Sequence, residues 1–222
     1  MLVAAAVCPH PPLIVPELAG AAADELDALR DACASALAAV RAAGPEVLLV
    51  VGGADHTRRY GGRSAGSLQP WGVDVVAGRG EPVLPLSLTI GRWLLGADPG
   101  GFQSIATAAQ TGECLALGEG LAAGARTALL VMADGSACLT EKAPGYLDPE
   151  AKPYQERVAA ALGRADTDAL AALDPEEAAR LWAGGRAALQ VLAGAARGVR
   201  PTGELLYDDA PYGVGYTVAT WT

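Results

Sequence analysis

Two apolar runs of strand length, Leu2–Val7 and Val47–Val51, flank an Ala-rich stretch in which Leu26, Leu29, Cys33, Leu37 and Val40 recur every three or four residues. That spacing predicts an amphipathic helix over residues 21–43, stopped by Gly44-Pro45. Strand, helix and strand in this order make a βαβ unit, whose two strands run parallel. Parallel strands bury both faces under helices, so the opening of the chain already points to an α/β fold.

The alternation continues. Residues 86–95 and 115–123 read as helices, and 104–107 and 126–132 as strands. Three helices are expected over 149–162, 167–173 and 175–196, with Asp148-Pro149 and Asp174-Pro175 each reading as an N-cap followed by proline at the first helical position. Strands at 204–207 and 214–221 close the chain. Residues 61–85, broken by Gly, Pro and Ser around Trp71 and a β-like 73–77, read as an excursion over the sheet's edge or the mouth of a site. There is no repeat or linker, so residues 1–222 are expected to form one α/β domain with a mostly parallel or mixed central sheet flanked by helices.

Composition narrows the function. A net charge of -9 without a Lys/Arg-rich run offers nothing to neutralise phosphates, which argues against nucleic acid and anionic lipid as partners. The apolar runs fall well short of the roughly 20 residues that span a bilayer, so no membrane partner is expected. No basic stretch precedes the first of them, so the sequence reads as cytoplasmic. Cys8, Cys33, Cys114 and Cys138 lack CxxC spacing and read as reduced thiols.

In open parallel sheets, ligands bind outside the carboxyl ends of the strands. His10 follows the first strand and Asp55-His56 the second. Asp134, Ser136 and Cys138 follow the strand at 126–132, and Asp208-Asp209 the one at 204–207. Both of the chain's histidines thus fall at strand ends. Two imidazoles and a carboxylate are a ligand set for Fe(II), and Zn(II) accepts the same donors, with Cys8 a further thiolate. The plain alternatives are a proline-stiffened loop histidine, a surface histidine beside Arg58 and Arg59, and an Asp pair that ends a strand in solvent. Asp134, Glu141 and Lys142 are the candidates for proton transfer. The chain has no GxSxG elbow, P-loop or GxGxxG fingerprint.

Four segments carry a resemblance: Val7-Cys8-Pro9-His10-Pro11-Pro12-Leu13, Val50–His56, Gly135–Cys138 continuing through Ala143–Ala151, and Ala210–Tyr216. Together they resemble the catalytic subunits of class III extradiol ring-cleaving dioxygenases, the LigB-like superfamily that includes Memo-type proteins. The resemblance implies a LigB-like α/β fold and a non-haem Fe(II) centre, with Zn(II) the alternative metal. It further implies His10 and His56 as metal ligands and a small aromatic diol or another metal-chelating molecule as substrate. Analogy to the superfamily suggests a homo-oligomer.

The family's late glutamate ligand has its nearest counterpart by chain order in Asp208 or Asp209, with Glu204 behind them, and Cys8, Asp55, Ser136 and Ala137 would line the pocket. The family carries a histidine directly after the serine, where this chain has Ala137. General acid–base assistance contributes about 10²–10⁴-fold in rate, so this departure bears directly on ring cleavage. A non-catalytic binding protein and a zinc-dependent hydrolase on the same scaffold are the competing expectations.

Overall fold

A computed structural model describes residues 1–222. In chain order the elements are β1 (Leu2–Cys8), α1 (Pro16–Ala19), α2 (Asp27–Ala42), β2 (Val47–Ala54), β3 (Arg58–Gly61), β4 (Gly66–Ser67), β5 (Val76–Ala77), α3 (Leu86–Leu95), β6 (Gly101–Ala106), α4 (Thr111–Ala122), β7 (Thr127–Met132), α5 (Ala151–Gly163), α6 (Thr167–Ala171), α7 (Pro175–Arg180), α8 (Arg186–Ala195), β8 (Gly203–Asp209) and β9 (Tyr216–Trp221). Seven strands form one mixed sheet in the order β3-β6-β2-β7-β1-β9-β8, and β4 and β5 pair separately.

The four central strands, β6, β2, β7 and β1, run parallel, and antiparallel pairs close both edges. Alternate residues of each strand face opposite cores, as the two-residue period requires. Val7, Val51, Val131 and Ala219 face α4–α8, while Cys8, Val50, Leu130 and Val218 face α2 and α3. No helix is long and apolar enough to cross a membrane.

The crossovers position the site. The chain leaves β1 and β2 toward the face carrying α2 and α3, and leaves β7 toward the opposite face. The loops after β1, β7 and β2 therefore diverge at adjacent strand ends, which makes this edge the topological switch point. β8 runs parallel to β1, since both pair antiparallel with β9, so Asp208 and Asp209 reach the same edge of the sheet.

Three local expectations are corrected. The helix expected over Pro175–Ala196 is two helices, separated at Leu181–Gly185, where a Cβ on Gly185 would run into the backbone of Ala133 and Asp134. Asp174 does cap α7, accepting from the amides of Glu176 and Glu177. Asp148 does not cap α5, which starts at Ala151 after Glu150; its carboxylate instead accepts the Glu150 amide at 2.9 Å and pairs with Arg180 at 2.5 Å. The β-like segment at 73–77 shrinks to Val76–Ala77, and Arg58–Gly61 forms an unexpected edge strand.

Helices α4 and α8 cross in close contact: a Cβ on Gly118 would run into the carbonyl of Val191, and one on Gly194 into that of Leu115. Gly120, in the same α4, has nothing within 4 Å of its would-be Cβ. Helix propensity alone favours alanine at all three by about 1 kcal/mol. We predict that Gly120→Ala stabilises by about 0.5–1 kcal/mol, whereas Gly118→Ala and Gly194→Ala destabilise by about 1–3 kcal/mol through overpacking. Urea denaturation monitored by circular dichroism checks the opposite signs.

Candidate functional site

Proline occupies positions 9, 11 and 12, so His10 supplies the only backbone N–H between Cys8 and Leu13. That amide donates to Asp134 Oδ1 at 2.6 Å. The imidazole turns toward the same carboxylate, with Nδ1 3.6 Å from Oδ1. Nδ1 is fully enclosed without a hydrogen-bond partner, and 13% of the side chain remains exposed. Stiff prolines on one side and the end of β7 on the other thus fix a histidine–carboxylate couple in the β1/β7 crevice.

The loop after β7 is tied down along its length. Asp134 O accepts the amide of Gly185 at 2.8 Å, Ser136 Oγ donates to Leu181 O at 2.7 Å, and the Ala137 amide donates to the same carbonyl at 3.2 Å. Leu181–Gly185 therefore lies as a strap across the strand ends. Gly184 brings its carbonyl within 3.1 Å of where a Cβ of Gly53 would sit, so the strap covers β2 as well as β7. A cavity of about 10 Å³ beneath it is lined by Asp134, Tyr154, Arg186 and Thr217, among others. That is room for about one water.

The remaining candidates are dispersed. His56 is exposed, and its carbonyl accepts Ser104 Oγ at 2.6 Å, which ties its loop to β6 on the side of β2 away from β7 and β1. Asp55 is likewise exposed. Asp208 Oδ1 accepts Gln155 Nε2 at 3.1 Å and Thr217 Oγ1 at 3.0 Å, and Asp209 Oδ1 accepts the Ala210 amide at 2.7 Å. Glu204, Glu141 and Lys142 are exposed.

Cys8 belongs to the core rather than to a pocket: it is 0% exposed, and a hydrogen bond with Cys33, followed by burial, pushes its thiol well above the usual range. Ser136 and Ala137 are buried, with the serine hydroxyl also accepting the Cys138 amide at 3.1 Å.

These donors do not fit the three-ligand Fe(II) or Zn(II) centre that the resemblance implies, because no three His, Cys, Asp or Glu side chains converge on one point. What the structure brings together is His10 with Asp134.

Tyr216, buried beside them, was not singled out in the sequence. Burial, and then the Asp134 charge, push its hydroxyl far above the usual tyrosine range. Tyr212, whose hydroxyl donates to Glu25 Oε2 at 2.9 Å, and Tyr207 stand close by. Tyr216 escaped notice because a tyrosine inside an apolar strand reads as core. The strap had a visible signal, the Gly184-Gly185 doublet within a helical pattern.

No protein-family model and no curated protein sequence matches the chain. Among solved structures, the chain is similar to an uncharacterized protein, JW3007, from Escherichia coli K12, at 13% identity and a TM-score of 0.54, covering 99% of both chains. That likeness supports the α/β fold described above.

Asp134 accepts the one backbone donor of its proline-rich partner loop, so Asp134→Ala is expected to cost about 1–3 kcal/mol by leaving that amide unpaired; chemical denaturation measures it. Tyr154 and Tyr216 both carry raised hydroxyls, burial being the main cause. The unfolded chain releases these protons from about pH 10 while the folded chain retains them, so stability falls as pH rises through that value. Tyr154→Phe and Tyr216→Phe are each expected to flatten this alkaline limb, which pH-dependent thermal melts would reveal.

Proposed function

We propose that the chain is a divergent relative of the class III extradiol dioxygenases that retains their scaffold and a histidine–carboxylate couple, and that binds a small molecule without cleaving an aromatic ring. The four motif segments support the relationship. The observation that carries the loss of ring cleavage is the setting of Ala137. It stands where the family carries a histidine directly after the serine, its amide is held by Leu181 O at 3.2 Å and its carbonyl accepts the Gly145 amide at 2.9 Å.

His56 is exposed, on a loop that its own carbonyl ties to Ser104 of β6. The proton-transfer candidates Glu141 and Lys142 lie in solvent. The cavity that reaches Asp134, at about 10 Å³, is far smaller than a ring-sized molecule needs.

A second reading, a metal ion shared by His10 and His56, is supported by one feature. An imidazole Nδ1 facing a carboxylate is the arrangement by which metal-bound histidines are oriented from behind; Nδ1 of His10 is 3.6 Å from Asp134 Oδ1. A zinc-dependent hydrolase would need that same ion.

Oxygen uptake by protein reconstituted anaerobically with Fe(II) and offered a panel of catechols tests the proposal. The expected rate equals that of the iron-only control and is the same for the wild type, His10→Ala and His56→Ala. Catechol-dependent uptake that either substitution abolishes would overturn it in favour of the metal-centred reading.

A further inference from the structure

A pocket of about 420 Å³ opens beside the strap, between the end of β6 and α7. Its walls include Thr107, Ala178, Ala179, Trp182, Ala183 and Arg186. Arg186 is only 3% exposed. Its Nη1 donates to Ala109 O at 2.7 Å and Gln190 Oε1 at 3.0 Å, and its Nη2 to Thr107 O at 2.6 Å. These neutral acceptors fix the guanidinium plane but leave its charge uncompensated.

No carboxylate pairs with it, although seven ion pairs involving other residues form elsewhere in the fold. Burial raises both Tyr154 and Cys114, so neither carries the compensating charge, and Asp134 and Glu176, which share a cavity or pocket wall with Arg186, form no ion pair with it. The Nε–H donates to no protein atom, and Nε is not among the fully enclosed unpaired atoms. Buried charges are ordinarily paired. A buried guanidinium with a free Nε–H and no paired carboxylate, lining a pocket, therefore calls for an anion from outside the chain.

The rest of the wall defines the other half of the ligand. Ala178, Ala179 and Ala183 are small and apolar, and Trp182 stands 60% exposed with φ 51. A bulky residue in the left-handed region costs of order 1–3 kcal/mol, and such strain clusters at ligand sites. Glu176, the one acid lining the pocket, lies on the exposed first turn of α7. It disfavours highly charged anions more than a monoanion.

We propose that this pocket binds the carboxylate of a small organic acid with an apolar body, Arg186 taking the carboxylate and Trp182 with Ala179 covering the body. Arg186 also lines the small cavity at Asp134, but the proposal does not depend on the reading given for the His10–Asp134 couple.

Isothermal titration of the full chain with hexanoate tests the proposal, with hexanol as the uncharged counterpart and inorganic phosphate as the anion without an apolar body. Hexanoate is expected to bind at about 1 mM or tighter. Hexanol and phosphate should each be weaker by about tenfold or more, the worth of one charge-assisted hydrogen bond or of a buried alkyl chain. Arg186→Lys should weaken hexanoate similarly. Because Arg186 also tethers the loop after β6, Ala179→Phe, which fills the pocket without touching those bonds, serves as the second variant and should abolish binding with an unchanged circular dichroism spectrum. Absence of hexanoate binding to the wild type, equal binding of hexanol or phosphate, or undiminished binding in Ala179→Phe would overturn the proposal.

Discussion

One carboxylate holds together the edge of the sheet where chemistry is expected. Asp134 accepts the only backbone donor of a loop that contains three prolines, and its own carbonyl receives Gly185 at the start of α8. Through these two bonds the loops after β1 and β7 and the strap at Leu181–Gly185 become one unit. Replacing a satisfied carboxylate here would release a half-buried amide, and leaving such a donor unpaired costs more than the hydrogen bond itself contributes. His10 is held in place by the same arrangement.

That closure supports the proposed non-cleaving reading over a ring-cleaving centre. A ring-cleaving centre needs metal ligands that converge, an open position beside them and a proton-transfer group. Here the histidines are tied to opposite sides of β2 and β7, one through Asp134 and the other through Ser104. The crevice between them is filled by the strap. The space a ligand needs lies outward instead, next to Arg186 and Trp182. Arg186 lines both this pocket and the small cavity at Asp134.

Much of the fold was legible in the residues. The βαβ opening, α3 at Leu86–Leu95 and the buried strand β7 follow from apolar period and from Gly and Pro punctuation. β3 was not legible, because Arg58-Arg59-Tyr60-Gly61 has no apolar face and forms a strand only by pairing with β6. The break between α7 and α8 was visible as Gly184-Gly185, yet the apolar period on either side reads as a single helix. At the site, the positions of His10, Asp134 and His56 at strand ends were readable. Whether they meet was not, since that depends on which way each loop turns, and for His56 a serine hydroxyl on a neighbouring strand sets the direction. Arg186 carried no signal at all: only burial without a carboxylate partner marks it, and burial is a property of the folded chain.

Whether His10 stays on Asp134 rather than sharing a metal ion with His56, as proposed, can be read from a crystal structure of protein grown anaerobically with Fe(II), with iron located by its anomalous scattering. The expected result is no iron peak between the two histidines, the His10 amide on Asp134 and the Leu181–Gly185 strap across the crevice. An iron peak coordinated by both His10 and His56, with the strap displaced, would contradict it.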